Sequence, residues 1–212
     1  MTIRVISLYT MFDNLFHDPA SNLLPFQGVV RYYPEFFTTA DADRYFRQLR
    51  DETDWKQEPV KIFGREVMQP RLTAWYGDTD KSYTYSGITM QPQPWNQPLL
   101  EIKQRIESIA PVVFTSVLMN LYRDGQDSMG WHRDNEKMLG DRPVIGSVSF
   151  GATRTFQLRP YVGKEPLRSV PLTHGSFLIM EDVTQQHWEH RIPKTARPTG
   201  PRLNLTFRVI VN

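Results

Sequence analysis

The 212-residue sequence predicts a mainly β fold with flanking helices, an α+β arrangement. Three observations lead there. After Pro111 the apolar period changes from helical to alternating. Turn residues then recur roughly every 8–12 positions, as in sandwiches and barrels. Two segments with helix caps of their own precede that point. Many short strands punctuated by hairpin turns suggest a double-sheet jelly roll or a barrel, with the helices covering the outside of one sheet. The pattern carries no strand order.

Residues 1–28 are loosely patterned and read as an N-terminal extension ahead of a single domain over 29–212, divided into 29–111 and 112–212. The run from Phe37 to Trp55 reads as a helix: Thr38, Thr39 or Asp41 serves as its cap, and Tyr45, Phe46 and Leu49 supply the apolar stripe. A second helix begins at Asn96, with Pro98 in its first turn. Leu99, Ile102, Ile106 and Ile109 lie on one face, and Pro111 ends it. The strands expected beyond it are Val113–Tyr122, Val144–Phe150, Thr155–Leu158, Ser169–Leu172, Ser176–Met180 and Leu203–Val211. Asp124-Gly125, Gly151-Ala152, Gly163 and His174-Gly175 mark turns between them.

Composition narrows the chemistry. With no cysteine, disulfides, thiolate metal sites and cysteine nucleophiles are excluded. The formal charge of +2 is too small to announce a nucleic-acid partner, but it is unevenly spread. Residues 1–110 carry 12 cations and 14 anions, whereas 111–212 carry 13 and 9, and the five cations after His190 meet no acid. No apolar run reaches the ~18 residues of a membrane span, and the first residues lack the pattern of a secretory leader. A monomer of the cytosol or nucleoid, or of the nucleus, is the expectation.

His132 and Asp134 form a His-x-Asp pair, which on an extended segment projects to one face. His190 lies far enough along to return on another strand. Two imidazoles and a carboxylate grip one face of ferrous iron and leave positions open for oxygen and a cosubstrate. Taken alone, the pair also fits a surface histidine beside a solvated acid. Farther on, Arg202, Asn204, Thr206 and Arg208 alternate with Leu203, Leu205, Phe207 and Val209, so one face is apolar and the other aligns two guanidinium groups. Two arginines suit a dicarboxylate such as 2-oxoglutarate, or one dicarboxylate together with a nearby acidic partner. Asn120 and Tyr122 place polar groups in the same way on an earlier strand, which implies a polar pocket.

These residues lie in runs that resemble the AlkB family of iron(II)- and 2-oxoglutarate-dependent dioxygenases. The runs are Asn120-Leu-Tyr122-Arg-Asp-Gly125, His132-Arg-Asp134-Asn-Glu136, Ser147-Val-Ser-Phe-Gly151, His187-Trp-Glu-His190 and Pro201-Arg202-Leu-Asn204-Leu-Thr-Phe-Arg208. Upstream, Ile62-Phe63-Gly64, Pro70-Arg71 and Tyr83-Thr-Tyr85-Ser86-Gly87 resemble the branch that repairs duplex DNA. The resemblance implies a double-stranded β-helix (jelly-roll) core over 112–212 and a nucleotide-recognition region within 29–111. It implies Fe(II) on His132, Asp134 and His190. It implies 2-oxoglutarate on Asn120, Tyr122, Arg202, Asn204 and Arg208, with Arg202 or Arg208 on the distal carboxylate, and O2 as the oxidant. His174 and His187 are then structural, and Trp75, Trp131 and Trp188 are packing residues.

The implied reaction is oxidative removal of N-methyl groups from bases of the 1-methyladenine and 3-methylcytosine type in DNA. RNA is the alternative substrate of the same chemistry, and a non-catalytic nucleic-acid-binding module is the reading from another class. The methyl lies on the pairing edge, so the base must leave the stack. Phe63, between two segments able to pair as a hairpin, is the wedge that fills the gap. By the same resemblance, Arg71, Tyr83, Tyr85, Ser86 and Glu136 align with positions around the damaged base. Three features depart from the branch: Asn135 where a second aspartate is common, Tyr85 where phenylalanine is common, and only two cations, Lys194 and Arg197, in the loop before Pro201.

Overall fold

The computed structural model describes residues 21–62, 65–79, 83–85, 88–90 and 92–211. Its centre is a pair of antiparallel sheets. The larger holds β1 (Val29–Tyr33), β4 (Leu72–Gly77), β7 (Ser116–Tyr122), β9 (Ile145–Gly151), β12 (Ser176–Glu181) and β14 (Arg202–Arg208), in the order β1-β12-β9-β14-β7-β4. The smaller holds β8 (Met129–His132), β10 (Arg154–Pro160), β11 (Arg168–Leu172) and β13 (Trp188–Ile192), in the order β11-β10-β13-β8. Two further hairpins pair β2 (Pro59–Ile62) with β3 (Arg65–Met68) and β5 (Tyr83–Tyr85) with β6 (Ile88–Met90).

Both expected helices form, for the expected reasons. α1 (Thr39–Glu52) starts where Thr38 Oγ1 accepts the Asp41 N–H at 3.2 Å, and it buries Ala42, Tyr45 and Leu49. α2 (Gln97–Glu107) starts where Asn96 Oδ1 accepts the Leu99 N–H at 3.1 Å. Leu99, Ile102 and Ile106 are fully buried, but Ile109 lies beyond the C-cap Ser108 and is 44% exposed, so it is not part of the stripe.

The helices cover the outer face of the six-stranded sheet. Tyr45, Leu49, Leu99 and Ile102 share a core with Val117, Met119, Val148, Phe150, Leu203, Leu205 and Phe207. A second core fills the space between the sheets, with Ile145, Leu178 and Met180 facing Phe156, Leu158, Trp188 and Ile192. This division decides which way β14 points. Its apolar residues face the helices, leaving Arg202, Asn204, Thr206 and Arg208 to look into the jelly roll. Burying roughly five large apolar side chains on β14 and β7 at ~1.5–3 kcal/mol each fixes that register, because a one-residue slip would bury the arginines against the helices instead.

Residues 21–28, expected to be extension, are tied to this body. Leu24 is buried in the inter-sheet core, and the Trp188 Nε1–H donates to the Phe26 carbonyl at 3.1 Å. Strands β1, β4, β5 and β6 were not anticipated, and β8 and β13 are the extended segment and the return strand expected for His132 and His190, whose bounds the pattern does not reveal. β8 is four residues with a glycine, and β13, with the sequence WEHRI, carries its charges on the outer face, where Arg159 meets Glu189 and Arg191 meets Gln157. Among the described residues no helix is long and apolar enough to cross a membrane.

Candidate metal and cosubstrate site

β8 and β13 are neighbours, and His132 pairs directly with His190 across them. The two rings lie 4.2 Å apart between centroids. Asp134 follows the end of β8, and one ligand atom from each of His132, Asp134 and His190 lies within 4.8 Å of the others. The sequence-predicted triad is therefore one cluster.

Its chemistry fits a divalent cation. His132 Nδ1 is 2.9 Å from the Gly130 carbonyl, which can only accept, so the proton sits on Nδ1 and the Nε2 lone pair remains for a metal. That Nε2 faces Asp134, 4.0 Å from Oδ1. Burial, reinforced by neighbouring His132 and only partly countered by Asp134, lowers the His190 pKa to about 3, which keeps the ring neutral as a ligand must be. Burial works to raise the pKa of Asp134, but Arg208 and the two histidines more than offset it and hold the carboxyl below its ordinary value. Arg208 Nη2 donates to Asp134 Oδ1 at 2.9 Å, and both side chains are buried.

The second guanidinium has a different environment. Arg202 is completely buried, and its Nη2 donates to Ser149 Oγ at 2.9 Å and Asn204 Oδ1 at 2.6 Å. Among the described residues its Nε and Nη1 have no hydrogen-bond acceptor, and the guanidinium carbon lies 5.1 Å from the centre of the Tyr122 ring. Burial lowers its pKa to about 10, so it remains a cation at neutral pH. A buried cation with two neutral acceptors and three N–H donors left over, on two nitrogens, is costly unless an anion joins it. On β14 Arg202 stands opposite Tyr122 and Arg208 opposite Ser116, about 20 Å of strand apart. One arginine thus serves the acidic partner, Asp134, and the other is placed for a carboxylate.

A cavity of about 50 Å³ runs beside the triad, with Asn120, Tyr122, His132, Asp134, His190, Asn204 and Arg208 in its wall; Arg202 does not line it but bonds to Asn204, which does. Its other lining residues include Leu118, Phe156 and Met180. Ser147, Ser149 and Thr206 were given no role from sequence but belong here: Ser147 Oγ donates to Asn204 Oδ1 at 3.1 Å, and Asn204 Nδ2 to Thr206 Oγ1 at 2.8 Å. Ser147 and Ser149 alternate with Val148 and Phe150, the same inward-polar signature that marked β14.

The remaining predicted residues fall around this centre. Arg71 is 5% exposed and donates from Nε to Asn120 Oδ1 at 2.7 Å, which turns the Asn120 amide so that Nδ2 is the group left to donate. Glu136 is half-buried and opens the 3-10 turn Lys137–Leu139. Tyr83 and Tyr85 are on β5. Phe63 and Ser86 lie outside the described residues. His174 is not near the triad: its Nδ1 accepts the Gly151 N–H at 2.8 Å and its Nε2 is 3.3 Å from Asp43. Trp75 and Trp188 are buried, and Trp131 packs between the guanidinium groups of Arg159 and Arg191 at 3.9 and 4.5 Å.

Two neighbouring strands of the smaller sheet, with the turn that follows β8, bring two imidazoles and one carboxylate to one point, the donor set of the two-histidine, one-carboxylate class of iron site. The model of the 2OG-Fe(II) oxygenase superfamily matches residues 29–208. The chain is 45% identical over 188 residues to human alpha-ketoglutarate-dependent dioxygenase alkB homolog 3, covering 84% of this chain and 65% of that protein. It is 40% identical over 195 residues to mouse DNA oxidative demethylase ALKBH2, covering 87% of this chain and 82% of the relative. The solved structure of OsALKBH1 superposes with a TM-score of 0.64 over 88% of this chain and 99% of that one; at 18% identity this shows the shared fold. The chain belongs to the AlkB family of 2OG-Fe(II) oxygenases.

Proposed function

We propose that this protein is an Fe(II)- and 2-oxoglutarate-dependent dioxygenase that removes N-methyl groups from damaged bases in DNA, of the 1-methyladenine and 3-methylcytosine type. The observation that carries the reading is the division of labour on β14, with Arg208 on the carboxylate of the triad and the buried Arg202 available for an anion. The names of two relatives, an alkB homolog and a DNA oxidative demethylase, support the substrate class. Products are the unmethylated base, formaldehyde, succinate and carbon dioxide.

In this reading His132, Asp134 and His190 hold the iron, and Arg202 with Tyr122 takes the distal carboxylate of 2-oxoglutarate. Asn120 Nδ2 and Asn204 orient the cosubstrate along the cavity, and Arg208 keeps Asp134 ionised and aimed. When bound, the iron and O2 supply the oxidising power for decarboxylation of the cosubstrate and hydroxylation of the methyl group. The cationic hydroxymethyl adduct then releases formaldehyde: the C–N bond breaks, its electron pair stays on the ring nitrogen as the lone pair of the restored base, and the hydroxyl proton passes to solvent. Phe63 fills the gap left by the flipped base. Tyr85 stacks on that base opposite His132, Glu136 reads its exocyclic amine, and Arg71, Tyr83 and Ser86 complete the pocket.

Formaldehyde release from methylated oligonucleotides, presented as single-stranded DNA, duplex DNA and RNA, tests the substrate assignment. DNA is expected to turn over faster than RNA. Turnover on RNA alone would replace DNA as the substrate, and turnover on none would refute the assignment. Arg71 bears on both halves of the site, through the base pocket and through Asn120, and Phe63 on the base pocket alone. Arg71→Met removes the bond that orients Asn120, worth ~1–2 kcal/mol, so the KM for 2-oxoglutarate is expected to rise about tenfold. Phe63→Ala is expected to raise the KM for the oligonucleotide and leave that for 2-oxoglutarate unchanged. Steady-state titration of each substrate distinguishes them.

A further inference from the structure

The backbone N–H of Asp134 has no sheet partner, because β8 ends at His132. A buried N–H without an acceptor costs about 1–3 kcal/mol. Here the acceptor is a side chain 51 residues away: Gln185 Oε1 takes that N–H at 2.9 Å. Gln185 is 1% exposed and Asp134 3%. Because an N–H can only donate, the amide is held one way round, oxygen toward Asp134 and nitrogen toward Met180 Sδ at 3.3 Å.

Gln185 belongs to a one-turn helix, α3 (Thr184–His187), which meets the Asp134 loop at two further points. Arg133 Nη1 donates to the Gln186 carbonyl at 3.1 Å, and Gln186 Nε2 donates to the Asp141 carbonyl at 2.7 Å. The turn is held from behind by β1, where the Val29 N–H donates to Thr184 Oγ1 at 2.9 Å. The chain runs so close here that a Cβ on Gly28, whose φ is +133°, would lie 2.6 Å from that hydroxyl. Gln185 itself is not in the wall of the cavity that holds the triad.

We propose that Gln185 is a positioning residue for the metal: its amide oxygen sets the main chain of Asp134 while Arg208 sets the carboxylate. The proposal rests on the reading of His132, Asp134 and His190 as metal ligands. Asp134 stands outside any strand, so neither its main chain nor its carboxylate is placed by the sheet. Two restraints from opposite sides, Gln185 on the N–H and Arg208 on Oδ1, replace what the ladder does for His132 and His190. Partners of this outer kind typically change metal affinity ~10–100-fold.

The test is titration of the apoprotein with Mn(II), a redox-stable probe, read by the electron paramagnetic resonance signal of free Mn(II) and paired with thermal melts. Gln185→Met keeps the length and loses the acceptor, and is expected to bind Mn(II) about tenfold more weakly or worse. Gln185→Glu keeps an acceptor at the same reach and is expected to restore binding to near the parent value. A folded Gln185→Met protein that binds Mn(II) as tightly as the parent would overturn the proposal. Should that variant fail to fold, amide exchange in the parent apoprotein decides. Protection of the Asp134 N–H supports the contact, and exchange as fast as that of exposed Asn135 refutes it. Failure of the parent itself to bind Mn(II), unchanged in His132→Ala, would refute the metal reading rather than the role of Gln185.

Discussion

Arg202→Met is expected to abolish turnover at 2-oxoglutarate concentrations that saturate the parent, while leaving the apoprotein as stable as before or more so. The two effects have one cause. Arg202 is fully buried, with neutral acceptors on one nitrogen and, among the described residues, none on Nε and Nη1. In the apoprotein it is a desolvated cation that its neighbours only partly compensate, and apolar replacements of such groups are often neutral or stabilising. With the dicarboxylate bound, the same cation completes a desolvated charge pair. Removing one member of such a pair costs ~2–5 kcal/mol, or roughly 30- to 5,000-fold in affinity. Arg202→Lys retains the charge but not the planar fork, and is expected to recover only part of the loss. Equilibrium binding of radiolabelled 2-oxoglutarate, alongside thermal melts, checks both halves. Weak binding together with a lower melting temperature would mean that Arg202 is mainly structural.

Asp134→Asn is expected to do the reverse to stability. It leaves the Arg208 guanidinium, buried and 2.9 Å from Oδ1, facing a neutral amide. Breaking a buried pair from one side costs ~3–5 kcal/mol. For a chain of this size that is a fall of roughly 6–20 °C in melting temperature. Turnover is expected to vanish as well, since Asp134 is one of the three proposed metal ligands. The double variant Asp134→Asn/Arg208→Met removes the guanidinium that faces the amide, so it is expected to recover much of the stability and none of the turnover. A double variant that melts no higher than the single one would show that the stability loss does not come from that guanidinium.

These expectations depend on contacts that sequence spacing does not encode. The alternation on β14 was readable because strand residues report their two faces directly, and the helix caps at Thr38 and Asn96 were readable because they act within three residues. The His132-x-Asp134 pair was readable as a candidate, and the idea that one arginine serves an acidic partner was open from sequence. Which arginine does so was not, since Arg208 and Asp134 are 74 residues apart. The bonds from Arg71 to Asn120 and from Asp134 to Gln185 span 49 and 51 residues and leave no local trace. β13, expected only as the strand on which His190 returns, has no legible bounds because its outward charges mask the alternation of the inward face that carries His190. Ile109 followed the helical period but lies beyond the C-cap, where periodicity no longer implies burial.

The central claim is that one site couples 2-oxoglutarate oxidation to demethylation of a nucleobase. It is tested most directly by measuring succinate and formaldehyde together, with Fe(II) present and a methylated DNA oligonucleotide or its unmethylated counterpart supplied. The prediction is equimolar succinate and formaldehyde on the methylated strand, little of either on the unmethylated one, and neither product from His132→Ala. Succinate formed at the same rate without the methyl group, or formaldehyde released by His132→Ala, would contradict it.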